Sequence, residues 1–162
     1  MFSLVAVVLS IALVASLLAA TMSYIPADRD IRIAMIGQIH AQLTALQTAA
    51  VCYAQAEAGA YPAVASWQSA LAPNYVFLPT PPSGMSLSYG SGAYSATVTD
   101  EWFCISNPAT PAEQAALNET ATRFSTQQAV LSSACGAAPL GASSGTALTL
   151  WLPVDPTKIT CP

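Results

Sequence analysis

Charge is the property that this sequence has least of. Only 7% of its 162 residues are Asp, Glu, Lys or Arg, whereas a soluble domain typically carries about 25%. Apolar residues make up 54% of the chain, and many of them are alanine. Ser, Thr, Gln, Asn and Ala must therefore cover most of the surface. Such a surface suits a chain that packs against copies of itself, and the length predicts one domain plus an anchor.

Basic residues are particularly scarce, and the formal net charge is −4. Non-specific affinity for nucleic acid depends on clustered Lys and Arg, whose phosphate contacts release counterions. The four basic residues here are Arg29, Arg32, Arg123 and Lys158, and they form no cluster in the sequence. We therefore expect no nucleic-acid partner.

Metal-binding motifs are also missing. The sequence has no C-x-x-C pair, and its single histidine, His40, lies 12 residues from the nearest cysteine, so zinc-type spacing is absent. The four cysteines, Cys52, Cys104, Cys135 and Cys161, are widely separated. They predict two disulfides and an oxidising compartment, the alternative being four buried thiols in a cytosolic protein. Three pairings are open, of which loop closure favours Cys52–Cys104 with Cys135–Cys161.

Catalytic motifs are absent as well. Nucleophilic catalysis needs a base beside a Ser or Cys, but there is no G-x-S-x-G motif, and His40 falls on a polar helix face as a surface or contact residue. Asp100 and Glu101 are adjacent, so a strand would point them to opposite faces, as turn or edge residues. Gly90-Ser91-Gly92 precedes a predicted strand, so it indicates a turn and no phosphate cradle. We expect no enzymatic activity, no cofactor, no metal and no small-molecule substrate.

Two further motifs favour structural roles. The sequon Asn118-Glu119-Thr120 lies inside a predicted helix, which argues against glycosylation. Trp67, Trp102 and Trp151 are interpreted as core or assembly packing in preference to an aromatic binding patch.

The first 25 residues form an apolar segment without a charged side chain. About 20 helical residues span a bilayer core of about 30 Å, so residues 1–25 are predicted to be a transmembrane or filament-core helix. The alternative is a secretory signal peptide cleaved near Ala20, although it would lack a basic start. Arg29 and Arg32 follow the segment and would place the rest of the chain in the cytoplasm, opposite to the side that disulfides require. Removal of a basic leader before Met1 would resolve this conflict.

The remaining sequence predicts an amphipathic continuation of this helix over residues 26–60 and a globular extracytoplasmic domain over residues 61–162. The continuation carries one apolar stripe with alternating steps of three and four residues. In the globular domain, strands are predicted at residues 75–78, 85–89, 93–99, 102–105 and 147–152, with a hairpin connection at residues 90–92. A capping box at Thr110 and Glu113 begins a helix whose apolar face continues to Cys135, with Gly136 as its stop. The predicted class is α+β. The apolar stripe consists of Ile36, Ile39, Leu43, Leu46, Ala50 and Tyr53.

This architecture resembles type IV pilins, particularly the IVb class and minor pilins. The motifs that carry the resemblance are Tyr53-x-x-Ala56 and Gly59-x-Tyr61-Pro62 at the helix exit. Residues 75–94 and Leu152-Pro153 also look loosely like the PilM family of conjugative thin pili. The resemblance implies a pilin-like fold, in which a long apolar helix packs on a small antiparallel sheet and disulfides tie the C-terminal region. Polymerising pilins usually carry Glu at the fifth mature position, whereas this chain has Val5.

The resemblance also implies a function as a structural subunit of a bacterial surface filament, of the kind used in adhesion and conjugation. The partners would be copies of itself or other pilins, and the location would be the inner membrane and then the extracellular filament. A membrane-anchored accessory factor that does not polymerise and a secreted binding domain with a cleaved signal peptide are the alternatives. The predicted assembly-helix residues are Phe2, Leu4, Val5, Val8, Leu9, Ile11, Leu13 and Leu17.

Overall fold

A computed structural model describes residues 27–82, 84–139, 144–153, 155–156, 159 and 161. The chain divides into two units, residues 1–31 and 32–162. The predicted boundaries at residues 25 and 60 stay predictions. The described elements are α1 (Ala27–Ala56), α2 (Trp67–Leu71), β1 (Ser86–Ala93), β2 (Thr99–Ser106), α3 (Pro111–Ala121), β3 (Ala129–Ser132) and β4 (Ala147–Trp151).

Helix α1 confirms a continuous helix in the region after residue 26. Its stripe from Ile36 to Ala50 is buried in one hydrophobic cluster with Phe103 and Leu148 of the sheet, and Tyr53 packs against that cluster. The steps of three and four residues keep these side chains on one face, which explains why the stripe could be identified from sequence. Among the described residues, no helix combines the length and apolar character needed to cross a membrane. The predicted apolar helix of residues 1–25 lies outside the described residues.

Helix α3 begins as predicted but ends early. Thr110 Oγ1 accepts a hydrogen bond from Glu113 N–H at 3.3 Å, and the Glu113 carboxylate accepts one from Thr110 N–H at 3.0 Å. The helix stops at Ala121, so the prediction of a helix reaching Cys135 was wrong. Residues 129–132 form strand β3 instead, because pairing with β4 satisfies their backbone groups.

The described strands form an antiparallel sheet in the order β1-β2-β4-β3. This confirms an α+β chain with an antiparallel sheet. Three predictions about the strands were wrong. Residues 75–78 are not a strand, and Gly90-Ser91-Gly92 lies within β1 and is no hairpin connection. The predicted strand over residues 93–99 is mostly the turn between β1 and β2, which occupies residues 94–98.

Both faces of the sheet are largely buried. The inner face carries Tyr89, Phe103, Ile105, Leu148 and Leu150 into the core beneath α1. Strand alternation points Trp102, Cys104, Thr149 and Trp151 to the outer face. Residues 133–139, called here the covering segment, lie across that outer face. It is bonded to the sheet by the Cys104–Cys135 disulfide and by three hydrogen bonds. These run from Gly136 N–H to Thr149 Oγ1 (3.0 Å), from Trp151 Nε1 to Ala137 O (3.1 Å) and from Ser88 Oγ to Cys135 Sγ (3.5 Å).

Candidate assembly surface

The described part of the predicted site consists of its four cysteines, which form two disulfides. Cys52 bonds to Cys161 and Cys104 bonds to Cys135, so the favoured pairing of Cys52 with Cys104 was wrong. The shorter loops gave the wrong pairing because the fold places Cys161 beside α1 and Cys135 beside β2, whatever their separation in sequence. The predicted assembly-helix residues, Phe2 to Leu17, lie outside the described residues.

The Cys52–Cys161 disulfide fastens the C-terminal tail, which begins at Leu152, to the end of α1. Gln55 Nε2 of α1 donates hydrogen bonds of 2.7 Å to the carbonyls of Pro156 and Ile159. Tyr61, just beyond the helix, donates a 2.6 Å hydrogen bond to Pro153 O. The disulfide and the two Gln55 hydrogen bonds thus tie the described tail residues to α1, and the Tyr61 hydrogen bond holds Pro153 beside the segment that follows the helix.

A groove of about 520 Å³ runs between α1 and the α2–β1 loop (residues 72–82). The loop is held on α1 by a 2.7 Å hydrogen bond from Gln42 Nε2 to Thr80 O, and by an edge-to-face contact of Tyr53 with Tyr75. Among the described residues, no charged side chain lines the groove, which makes its walls suitable for another uncharged segment. The lining residues are Ala45, Thr48, Ala49, Cys52, Asn74, Tyr75, Val76 and Cys161.

The α2–β1 loop also presents the most exposed large apolar side chain of the described chain. Phe77 is 87% exposed, and its neighbours Tyr75 and Leu78 are 37% and 39% exposed. The sequence does not indicate this surface, because the apolar run Tyr75-Val76-Phe77-Leu78 is typical of a strand. Pro73 and Pro79 on either side were the available signal, since proline removes ladder hydrogen bonds and favours loops.

Asp100 and Glu101 differ from their predicted role. They lie near the start of β2, an interior strand of the sheet, and Asp100 is only 4% exposed. The prediction of turn or edge residues was therefore wrong. Asp100 Oδ1 accepts a 3.0 Å hydrogen bond from Glu101 N–H, while among the described residues Oδ2 has no hydrogen-bond partner.

Burial governs the ionisation of this acidic pair. It raises the pKa of Asp100, and the hydrogen bond from the Glu101 N–H only partly opposes that effect. Burial likewise raises the pKa of Glu101, and the neighbouring charge of Asp100 raises it further. Burial and the same two carboxylates raise the pKa values of Tyr61 and Tyr89, whose hydroxyls donate to Pro153 O and Pro62 O. The pair is thus held without a basic partner among the described residues.

The remaining candidates occupy structural positions. His40 stacks on Phe124 with ring centroids 4.8 Å apart, as a contact residue does. Trp67 packs in the core against Tyr89 and Phe103, and Trp151 is 1% exposed under the covering segment.

The sequon lies within α3, as expected. Its Thr120 hydroxyl is buried and donates to Ala116 O at 2.7 Å. In the part of the chain that the structure describes, no group of three or more His, Cys, Asp or Glu side chains is arranged to hold a metal.

Comparison with known proteins gave no match to any family model, curated protein or solved structure. The candidate site is thus defined by the structure alone. It consists of the uncharged groove, the exposed apolar α2–β1 loop and the tail bonded to α1.

Proposed function

We propose that this chain is a non-enzymatic, pilin-like structural subunit of a bacterial surface filament. In this proposal residues 1–25 anchor the chain in the inner membrane and later pack in the filament core, while the disulfide-tied unit faces outward. The observation that carries the proposal is the 25-residue uncharged apolar sequence directly before the 30-residue helix α1. A charge in a dry helical bundle would be costly, and this segment has none.

The described surface supports assembly in preference to catalysis. Phe77 projects from the α2–β1 loop, and the adjoining groove has uncharged walls among the described residues. Apolar surface of this kind is expected to be covered by another subunit.

Sheared surface filaments test the proposal directly. The native host would be stripped of filaments by shear, and the chain would be sought by intact mass in the filament and membrane fractions. We expect the chain in the filament fraction, with an N-methylated Met1 and with four thiols appearing only after reduction. A Leu9→Asp variant should be lost from filaments, whereas the matched Leu9→Ile variant should be retained.

The alternatives give different results in the same experiment. A chain with an unmodified Met1 found only in membranes would be an accessory factor and would overturn the filament proposal. A mature N-terminus near Thr21 would identify a secreted domain and would overturn the membrane anchor as well.

A further inference from the structure

The two disulfides differ in their surroundings. Cys52 and Cys161 are both partly exposed, and both line the groove of about 520 Å³ between α1 and the α2–β1 loop. Cys104 is 0% exposed on β2, an interior strand of the sheet, and it is bonded to Cys135 of the covering segment. Reduction of a disulfide begins when a thiolate reaches one of its sulfur atoms. The Cys52–Cys161 bond therefore has open space beside both of its cysteines, whereas the Cys104–Cys135 bond is enclosed on the β2 side.

The tail that Cys161 fastens contributes little to the core. Leu152 is the last core residue among the described residues, and no described residue of the tail after it is buried. The hydrogen bonds from Gln55 and Tyr61 to the tail end on backbone carbonyls, to which water can donate once the tail moves. The tail can therefore leave α1 without opening the hydrophobic cluster beneath the helix.

The covering segment has the opposite character. Trp151 is 1% exposed beneath it and donates to Ala137 O, and the ring of Trp102 packs against Gly136. Displacement of this segment would uncover two large aromatic rings, whose burial contributes strongly to stability. Opening of the disulfide in the covering segment is thus coupled to loss of packing on the outer face of the sheet.

We propose that the Cys52–Cys161 disulfide is a redox switch for the tail. In an oxidising compartment the bond holds the tail on α1, and a dithiol reductant releases the tail while the Cys104–Cys135 bond and the sheet stay intact. Release also removes Cys161 from the wall of the groove, so the groove opens on that side. The switch uses contacts within the unit of residues 32–162, so it does not depend on the filament function.

The reduction step is a thiol–disulfide exchange. One thiolate of the dithiol attacks Sγ of Cys52 or Cys161, the S–S bond breaks, and a mixed disulfide forms. The second thiol of the reductant loses its proton and displaces the cysteine from the mixed disulfide. Over the two steps, two electrons and two protons pass to the chain, which ends with two thiols, and the reductant ends as a cyclic disulfide.

Timed reduction of the full chain in detergent tests the switch. The folded chain would be treated with dithiothreitol, samples would be quenched with an alkylating agent, and peptide mapping would identify the labelled cysteines. Hydrogen exchange on the same samples would report the protection of the tail and of the sheet. The same treatment in urea is the control, because unfolding gives the reductant access to both bonds.

We expect Cys52 and Cys161 to be labelled about tenfold faster than Cys104 and Cys135 in the folded chain, and all four at similar rates in urea. The tail should lose its protection against hydrogen exchange while β2 and β4 keep theirs. Replacement of the reductant by oxidised glutathione should reverse both changes.

Two variants separate tail release from the rate of reduction. Cys52→Ala with Cys161→Ala should show the unprotected tail without any reductant, because the bond that holds it is missing. Cys104→Ala with Cys135→Ala, the matched control, should keep the tail protected. A protected tail in the first variant would overturn the switch even if the second variant failed to fold.

The reduction experiment has its own contrary outcomes. Faster labelling of Cys104 and Cys135, or labelling of all four cysteines together, would overturn the proposal. Loss of protection in the sheet along with the appearance of the Cys52 and Cys161 thiols would also overturn it, because that bond would then support the whole fold.

Discussion

At the scale of single residues, the acidic pair at the start of β2 makes the stability of the fold depend on pH. Burial raises the pKa of Asp100 above its ordinary 3.8 and that of Glu101 above its ordinary 4.5. The folded chain therefore binds these protons more tightly than the unfolded chain does. The contribution of this pair to the free energy of unfolding is therefore fully present below the ordinary pKa values and is lost as pH rises through the raised ones.

An Asp100→Asn variant should remove much of this dependence. The amide keeps an oxygen that accepts from Glu101 N–H but carries no charge, and the pKa of Glu101 falls when the neighbouring charge disappears. We expect the variant to be more stable than the wild type at neutral pH and to show a flatter pH profile. Urea unfolding followed by circular dichroism at a series of pH values from acid to neutral measures both effects.

The control for this variant is Asp30→Asn, which removes an exposed carboxylate from α1. It should leave the slope of stability against pH nearly unchanged. If Asp100→Asn kept the wild-type slope, burial of the acidic pair would not be the cause of the pH dependence.

At the same scale, two glycines should respond to alanine in opposite directions. A Cβ on Gly90 would meet Trp102 ring atoms at 2.4 and 2.7 Å, whereas a Cβ on Gly37 would meet nothing within 4 Å. Because Trp102 is fixed between Gly90 and the covering segment, we expect Gly90→Ala to cost about 1–3 kcal/mol. Gly37→Ala in α1 should stabilise by about 0.5–1 kcal/mol. Thermal unfolding of both variants measures the two signs, and a stabilising Gly90→Ala would contradict the packing of Trp102.

At the scale of elements, the sequence predicted helix starts better than helix ends. The capping box at Thr110 and Glu113 is local chemistry, so it was visible in four residues. The end of α3 was not visible, because Leu131 and Cys135 continue the helical spacing. Their actual positions depend on β4, a partner that follows in sequence, and on the disulfide to Cys104.

The strands show the same division between local and distant information. The alternation in Met85 to Tyr89 identifies the first half of β1, but the glycines after it are typical of a turn. Gly90 instead lies within the strand, where the Trp102 ring packs against it and leaves no room for a Cβ atom. That requirement comes from a side chain on the neighbouring strand, so no local pattern could indicate it. The groove could not be predicted for the same reason. It forms only because the α2–β1 loop packs against α1, which is distant in sequence.

The stripe of α1 makes a further prediction at this scale. Leu43 is fully buried in the core, while the next residue, Thr44, is exposed. Leu43→Asp should cost several kcal/mol and block stable folding, because it leaves an unpaired charge in an apolar core. Thr44→Asp places the same new charge at an exposed position about 100° further around the helix. It should stay within about 0.5 kcal/mol of the wild type. Soluble expression and urea unfolding compare the pair, and a well-folded Leu43→Asp variant would place the stripe outside the core.

At the scale of the whole molecule, the pairing of the cysteines follows from the fold and cannot be predicted from loop lengths. Cys104–Cys135 ties the covering segment to the outer face of the sheet, and Cys52–Cys161 ties the tail to α1. The two bonds thus close different parts of the fold. Sequence spacing could predict that two bonds form, but the pairing depends on the covering segment lying on the sheet and on the tail lying on α1.

Removing each disulfide separately should therefore give distinct losses. The residues joined by Cys52–Cys161 are 109 apart in sequence and those joined by Cys104–Cys135 are 31 apart. If constraint of the unfolded chain dominates, each double-alanine variant loses about 3–5 kcal/mol, and loss of Cys52–Cys161 costs about 1 kcal/mol more. Denaturant unfolding measures this order, after peptide mapping without reduction has verified the pairing. A larger loss for Cys104→Ala with Cys135→Ala would instead mean that covering the outer face of the sheet stabilises the fold more than closure of the longer loop does.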